Sequence, residues 1–233
     1  MRMLRALVAI LAFVLLANCS SKGESAAPAS ADMGTRSFNL TDGIECEPSL
    51  GLLACLRRNE PPAAKQHEVD ISRSDGPLCM AAPGASEVCL PHAQGLQHVF
   101  LERSHGYFVV VEIEHIEGYA VLLVDEKTGS HHRIDNRPLF SPAKDVFATV
   151  SYDTDAGYLP NRVAIWNSSG SELLYEVDRF ATGTGPILIG WLGPTRLQVR
   201  YSRTPYSAEP AANTGNFRVW KDAKGAWHDD YTR

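Results

Sequence analysis

The sequence predicts a mostly β protein in which antiparallel strands recur along the chain after a small, disulfide-stapled lobe. From Leu96 onward, short β-branched and aromatic segments alternate with Gly-containing turns. A strand and turn pattern returns three times in that region, and four cysteines cluster in the residues before it. No segment of comparable length has a 3.6-residue apolar period, so we expect little helix beyond the first 18 residues.

The chain opens with Met1-Arg2-Met3-Leu4-Arg5, followed by an uncharged stretch from Ala6 to Ala17. A positive segment followed by such a stretch is typical of a secretion signal. Twelve residues of helix span roughly 18 Å, which is shorter than the ~30 Å hydrocarbon core of a membrane. We therefore predict that residues 1–18 are a cleaved signal peptide.

The end of this stretch, Leu16-Ala17-Asn18-Cys19, resembles the lipobox of bacterial lipoproteins. The resemblance implies cleavage before Cys19 and lipid attachment to its thiol, and Ser20 is compatible with the outer membrane, facing the periplasm. The alternative is an ordinary cleaved signal peptide. Residues 19–37 are rich in Ser, Ala, Gly and Pro without an apolar period, which predicts a flexible tether.

The charge balance argues against nucleic acid as a partner. Without residues 1–18 the chain keeps 20 Lys and Arg against 27 Asp and Glu, a formal charge of −7. Its basic residues form no run in the sequence, whereas phosphate binding depends on clustered Lys and Arg. The predicted partners are the membrane, through the lipid, and an envelope protein or cell-wall component.

Residues 38–95 are rich in Pro, Gly, Ala and Cys and predict the disulfide-stapled lobe. Apart from the lipobox cysteine there are four, and an even number in an exported chain implies disulfides. Of the three possible pairings we favour Cys46–Cys55 and Cys79–Cys89, because each closes a loop of about ten residues with turn formers. The cysteine spacing does not suit zinc, so we predict no metal site.

Residues 96–233 carry the internal repeat. Its copies run from Gly106 to Gly129, from Val146 to Gly170 and, more loosely, from Thr195 to Gly225. The equivalent positions Val124, Trp166 and Trp220 are 42 and 54 residues apart, which brackets the ~40–50 residues of a four-stranded propeller blade. We expect propeller-like blades, or a sandwich or meander whose edges the lobe covers. The second is favoured because three copies are too few for a closed ring.

One repeat carries a family resemblance. Pro138-Leu139-Phe140-Ser141-Pro142, followed by Phe147 to Ser151 and Val163 to Trp166, resembles a blade of WD40-like propellers of the TolB type. Ala143-Lys144 stand where those repeats usually have Asp-Gly. The resemblance implies four-stranded antiparallel blades in a periplasmic protein.

No hydrolase or cofactor motif is present in the sequence, so we predict a non-enzymatic binding module without catalytic residues or a cofactor. Tyr158 and Tyr206 are the candidate partner-binding residues, because both lie in polar loops where an exposed ring can anchor a partner. Trp166 and Trp220 occupy equivalent repeat positions, and we expect both to pack in the core.

The alternative function is a secreted hydrolase or sugar-processing enzyme that uses paired carboxylates, with Asp153, Asp155 and Glu112 as candidates. Such an enzyme needs two carboxyl groups about 5–10 Å apart in one concave pocket. The Asp153–Gly157 segment has calcium-like spacing but lacks a third carboxylate, which favours a polar turn. Glu112 and Glu114 share one strand face, for which we favour a solvated face.

Overall fold

The computed structural model describes residues 35–37, 39–40, 44–47, 51–73, 76–114, 118–153, 159–181, 183–202 and 214–232. All of them belong to one compact unit, Asp32–Arg233. They form one α-helix and sixteen β-strands, which confirms the prediction of a mostly β protein.

The strands form four antiparallel sheets that follow one another along the chain. The N-terminal sheet contains β2 (Asp70–Ser72), β3 (Leu78–Ala81) and β4 (Val88–Leu90). Sheet I contains β5 (Leu96–Ser104), β6 (Tyr107–Glu114), β7 (Gly118–Asp125) and β8 (His131–Ile134). Sheet II contains β9 (Leu139–Phe140), β10 (Val146–Ser151), β11 (Arg162–Asn167) and β12 (Leu173–Val177). Sheet III contains β13 (Gly185–Gly193), β14 (Arg196–Ser202), β15 (Thr214–Lys221) and β16 (Trp227–Asp229), with β1 (Thr35–Ser37) paired to the free edge of β13.

Sheets I, II and III are each a meander in which four neighbouring strands lie in chain order. The three repeat copies predicted from the sequence correspond to the two middle strands of each sheet, which are β6 and β7, β10 and β11, and β14 and β15. The middle strands of sheets I and II are buried on both faces, and those of sheet III alternate between buried and exposed residues, so all of them carry a clear apolar signal. The outer strands of sheets I and II are shorter or more polar than the middle ones, whereas β13 of sheet III is long and apolar. The repeat seen in the sequence therefore covered only the two middle strands of each unit.

Hydrophobic clusters join each sheet to the next one along the chain. The N-terminal sheet packs on one face of sheet I through Leu78, Met80, Leu90, Phe100, Phe108 and Leu122. The other face of sheet I packs on sheet II through Val99, Val109, Val111, Leu123, Phe147 and Trp166. Sheet II packs in turn on sheet III through Val150, Ile165, Ile189, Trp191, Val199 and Phe217. Sheets I and II are therefore covered on both faces.

The described residues contain one helix, α1 (Leu52–Gln66), which agrees with the expectation of little helix beyond the first 18 residues. No pattern in the sequence indicated where this helix lies. Its buried stripe consists of Leu56, Glu60 and Ala64, at four-residue spacing, next to Cys55. A charged residue in the middle of that stripe interrupts the apolar period from which a helix is recognised. Pro61 and Pro62 also lie inside the helix, where proline normally argues against helical structure.

The helix lies along the free edge of β5, the first strand of sheet I. The carboxylate of Glu60 accepts a hydrogen bond from the backbone amide of Phe100 at 2.7 Å. Arg73, just after β2, donates to the carbonyl of His98 at 2.8 Å and forms an ion pair with Glu60. Residues of the N-terminal lobe thus satisfy backbone groups at a sheet edge that would otherwise recruit another strand.

Candidate functional site

A cleft of about 750 Å³ lies between α1 and the edge strand β5. Helix residues form one wall and β5 forms the floor. The lining combines apolar and polar side chains, which are Ile44, Glu45, Leu56, Asn59, Pro62, Ala63, Gln66, His67, Phe100, Leu101, Glu102 and Arg137. This volume and mixed lining are typical of ligand sites, which hold about 300–1,000 Å³.

A β-bulge shapes the floor of the cleft. Phe100 faces Val110 on β6, whereas Glu102 faces Val109, so Leu101 is the extra residue. A bulge bends its strand and redirects the side chains that follow. It places Glu102 in the cleft lining, beside Leu101 and Phe100.

Glu102 and Arg137 form an ion pair in this lining. Only 5% of the Glu102 side chain and 14% of the Arg137 side chain are exposed. Arg137 lies between β8 and β9, where the side chain of the buried Asn136 donates to the carbonyl of Val150 at 3.1 Å. A shielded carboxylate and guanidinium interact more strongly with a polar ligand group than exposed charges do.

The disulfide Cys46–Cys55 supports the wall of the cleft that Ile44 and Glu45 form. Its Cα atoms are 5.4 Å apart, and it ties the segment Ile44–Glu47 to the start of α1. Asn59 holds the same segment by donating to the carbonyl of Glu45 at 3.2 Å. The lining residues Ile44 and Glu45 therefore depend on this crosslink for their position.

The second disulfide, Cys79–Cys89, joins directly opposed residues of β3 and β4. Both disulfides have the pairing that we predicted from loop length. Glu87 lies with these two cysteines in a group whose potential ligand atoms are within 4.8 Å of one another. Sulfurs joined in a disulfide are not thiolates, and the thiolate is the form that binds metals.

Glu112 lies in a buried polar cluster, so the solvated face that we favoured is wrong for this residue, whereas Glu114 is exposed. Glu112 is 8% exposed, it approaches His98 Nε2 at 3.1 Å, and it forms an ion pair with Arg133. Arg133 reaches it from β8 across the small side chain of Ala120, the β7 partner of Glu112. Both carboxylate oxygens are thus occupied within sheet I, in a structural role.

Asp153 has a structural role in the loop between β10 and β11. Its backbone amide donates to Asn161 Oδ1 at 2.6 Å, and its carboxylate accepts from the amide of Leu159 at 3.2 Å. Neither Asp153 nor Glu112 lines the cleft at α1 or the two smaller clefts described here. Asp155, Tyr158, Tyr206 and Cys19 lie outside the described residues.

The two tryptophans at equivalent repeat positions have different environments. Trp166 is 9% exposed, packs in the core between sheets I and II, and donates from Nε1 to Thr149 at 3.0 Å. Trp220 is half-buried, and its ring lies 5.9 Å from that of His228. The prediction of a core position is confirmed for Trp166 and wrong for Trp220, which lies on the opposite face of its strand from the buried Phe217 and Val219.

His105 is a site residue that sequence reasoning missed. It lines two smaller clefts of about 380 Å³ each, and its ring packs against Phe140 with centroids 4.5 Å apart. Burial, with a smaller contribution from Lys144, lowers the pKa of His105 below its usual range. The sequence offers one indication of this position, the segment Ser104-His105-Gly106. In the structure this segment forms a turn in which His105 has a positive φ of 52°.

The chain matches no family model, no curated protein and no solved structure. Within the described part of the chain, the single helix is not long and apolar enough to cross a membrane.

Proposed function

We propose that this chain is a non-enzymatic envelope lipoprotein, anchored through a lipid on Cys19, whose β domain binds an envelope protein or a cell-wall partner. Two features of the sequence support export and lipid attachment. Residues 1–18 resemble a signal peptide, and a lipobox-like segment ends at Cys19. The cleft between α1 and β5 supports binding. The location that fits is a membrane of the cell envelope, with the domain facing the periplasm.

We also propose a propeller-like architecture that stays open. Three consecutive four-stranded meanders packed face to face support it, because successive propeller blades pack in this way. The N-terminal sheet would then take the place of a further, incomplete blade. Its packing on sheet I supports that position.

The cleft is the observation that carries the binding function. Its wall is fixed by a disulfide, so the free protein already holds the shape that a ligand needs. Accessible apolar groups of Ile44, Pro62 and Ala63 share the cleft lining with the Glu102 and Arg137 pair. A ligand that fits has an apolar part and a polar end, as the side chains of a peptide or the substituents of a cell-wall fragment do.

Crosslinking in intact cells tests this site. Ala63 is half-buried in the cleft lining, so Ala63→Trp should fill part of the cleft and abolish crosslinking to the partner. Lys65→Trp adds the same ring at an exposed position of the same helix and should leave crosslinking intact. Equal crosslinking by both variants, each folded, would exclude the cleft.

Fractionation tests the anchor separately. Cys19→Ser should move the protein from the membrane fraction to the soluble fraction, because a lipid chain contributes ~0.8 kcal/mol per buried CH₂. A high-salt wash removes proteins that are held by charge alone. Retention of the variant after that wash would contradict lipidation at Cys19.

A further inference from the structure

The outer face of sheet III carries basic and aromatic side chains, and no described element packs on it. The opposite face of the same sheet forms the core with sheet II. In β14 the burial alternates, so Leu197, Val199 and Tyr201 point inward while Arg196 and Arg200 are exposed. On β15, Arg218 is exposed and lies opposite Gln198, between these two arginines.

The three arginines form a triangle on this face. A rise of about 3.3 Å per residue puts Arg196 and Arg200 roughly 13 Å apart, and Arg218 on the next strand is about 8 Å from each. Neither Arg196 nor Arg200 has an ion pair with any described residue, whereas Arg218 pairs with Asp230 at 2.8 Å. The other nearby carboxylate, Asp222, is bound by His228 at 3.0 Å. Among the described residues of this face, three arginines stand against the carboxylates of Asp222 and Asp230, so the face is net positive although the protein is acidic.

Two exposed or half-buried apolar side chains lie beside the arginines. Trp220 is the cross-strand neighbour of Arg196. Leu192 is the extra residue of a bulge in β13, next to Gly193, which pairs with Arg196. It is 51% exposed, the highest value among the large hydrophobic side chains of the described chain. Arginine with interfacial tryptophan and leucine is the combination that proteins use at the boundary between water and lipid headgroups.

The position of β1 indicates which anionic surface this face meets. β1 pairs with β13 and so belongs to sheet III, and only residues 20–34 separate it from Cys19. The flexible tether that their composition predicts would have a root-mean-square length of roughly 22 Å for 15 residues. A lipid on Cys19 would therefore hold sheet III near the bilayer at a high effective concentration, so that weak contacts suffice.

We propose that the outer face of sheet III docks on a bilayer surface that carries anionic phospholipid headgroups, with Arg196, Arg200 and Arg218 on phosphates and Trp220 and Leu192 at the interface. Docking orients the domain on the membrane, with sheet III toward the lipid. The choice of a bilayer as the partner rests on the proposed lipid anchor, whereas the basic face is a property of the folded domain.

The test uses the mature chain with Cys19→Ser, which carries no lipid, and vesicles at millimolar lipid. The protein should sediment with vesicles of phosphatidylcholine mixed with phosphatidylglycerol, and not with phosphatidylcholine alone. High salt should reverse the binding. Because the chain is not lipidated, the result does not depend on whether Cys19 is modified in cells, and fractionation of Cys19→Ser tests that question alone.

Charge reversal locates the binding face. Each basic residue at an anionic surface raises the partition constant about five-fold, so Arg196→Glu with Arg200→Glu should lower it at least 30-fold. Lys65→Glu with Lys127→Glu changes the net charge equally at exposed positions outside sheet III and should retain most of the binding. A blue shift of tryptophan emission on anionic vesicles should disappear in Trp220→Phe.

Three results would overturn the proposal. The first is equal loss of binding in the two double variants, which would indicate net charge alone. The second is absence of binding to anionic vesicles by the parent chain. The third is self-association of the parent that Arg196→Glu with Arg200→Glu abolishes, which would make the face a contact between copies of this chain.

Discussion

Glu60 on α1 accepts a hydrogen bond from the backbone amide of Phe100 on β5, at 2.7 Å. Phe100 belongs to the edge strand of sheet I, and its side chain is fully buried between sheet I and the N-terminal sheet. One carboxylate thus joins the helix, the sheet edge and, through Arg73, the end of β2. The same contact holds α1 in the position that creates the cleft.

Glu60→Ala should lower the free energy of unfolding by about 3 kcal/mol, because it removes a buried charge partner and leaves the Phe100 amide unsatisfied. Glu60→Gln should cost less, since its amide oxygen can still accept from Phe100. Urea denaturation measures both. Glu47→Ala breaks an exposed pair with Arg58 and should cost less than about 1 kcal/mol. Equal costs for Glu60→Ala and Glu47→Ala would contradict the bridging role.

The environment of Asp229 predicts that the free energy of unfolding depends on pH. Its side chain is 3% exposed. Burial by itself raises the pKa of Asp229, but hydrogen bonds from Arg179, Tyr175 and the amide of Tyr231 outweigh it, and the pKa is lowered. Burial, together with the Asp229 carboxylate 2.6 Å away, raises the pKa of Tyr175 to about 12.

A carboxylate with a lowered pKa in the folded state contributes stability above its unfolded pKa and loses it as the pH falls through the folded value. Asp229→Asn should therefore cost about 2 kcal/mol at neutral pH, and the difference from the parent should shrink below about pH 4. Urea titrations at several pH values measure it, with the exposed Asp70→Asn as the charge-matched control. A cost for Asp229→Asn that is constant with pH would contradict the charged network.

Gly170 occupies a close approach between sheets I and II. It has a φ of 73°, and a Cβ placed there would lie 3.0 Å from Leu123 Cδ2 and 3.5 Å from Phe147 Cζ. Gly170→Ala should destabilise the protein by about 2–3 kcal/mol, through backbone strain and crowding together. Gly84 has the same φ of 73° with open space around it, so Gly84→Ala should show the strain alone, about 1 kcal/mol. Thermal or urea unfolding measures both variants. Equal losses of stability in Gly170→Ala and Gly84→Ala would show that crowding at Gly170 contributes nothing.

The sequence predicted the middle strands of each sheet well and the helix not at all. Alternation in Arg196–Ser202 was visible because a strand with one buried face has a strict two-residue period. The helix was hidden because its buried stripe contains Glu60, whose partners come from β5 and from the residue after β2. Interactions of that kind depend on the fold, and no local pattern indicates them.

The candidate sites show the same limit. Both disulfide pairings could be predicted, because loop length is a local property. The pairing of Glu102 with Arg137 joins residues 35 positions apart and depends on a bulge at Leu101. The basic face of sheet III was missed for a related reason, since Arg196, Arg200 and Arg218 form no run in the sequence and meet only when β14 pairs with β15.

Trp166 and Trp220 occupy equivalent positions in the repeat but differ in burial, and replacing each of them tests this difference. Trp166→Ala should destabilise the protein by about 3–5 kcal/mol, because it empties a core position that contacts Phe147 and leaves the fully buried Thr149 hydroxyl without its donor. Trp220→Ala removes a half-buried ring from an outer face and should cost about 1 kcal/mol or less. Urea denaturation of the two variants under identical conditions measures the difference. Equal losses would mean that Trp220 is also a core residue, and the face of sheet III on which it lies would then be covered rather than free to dock.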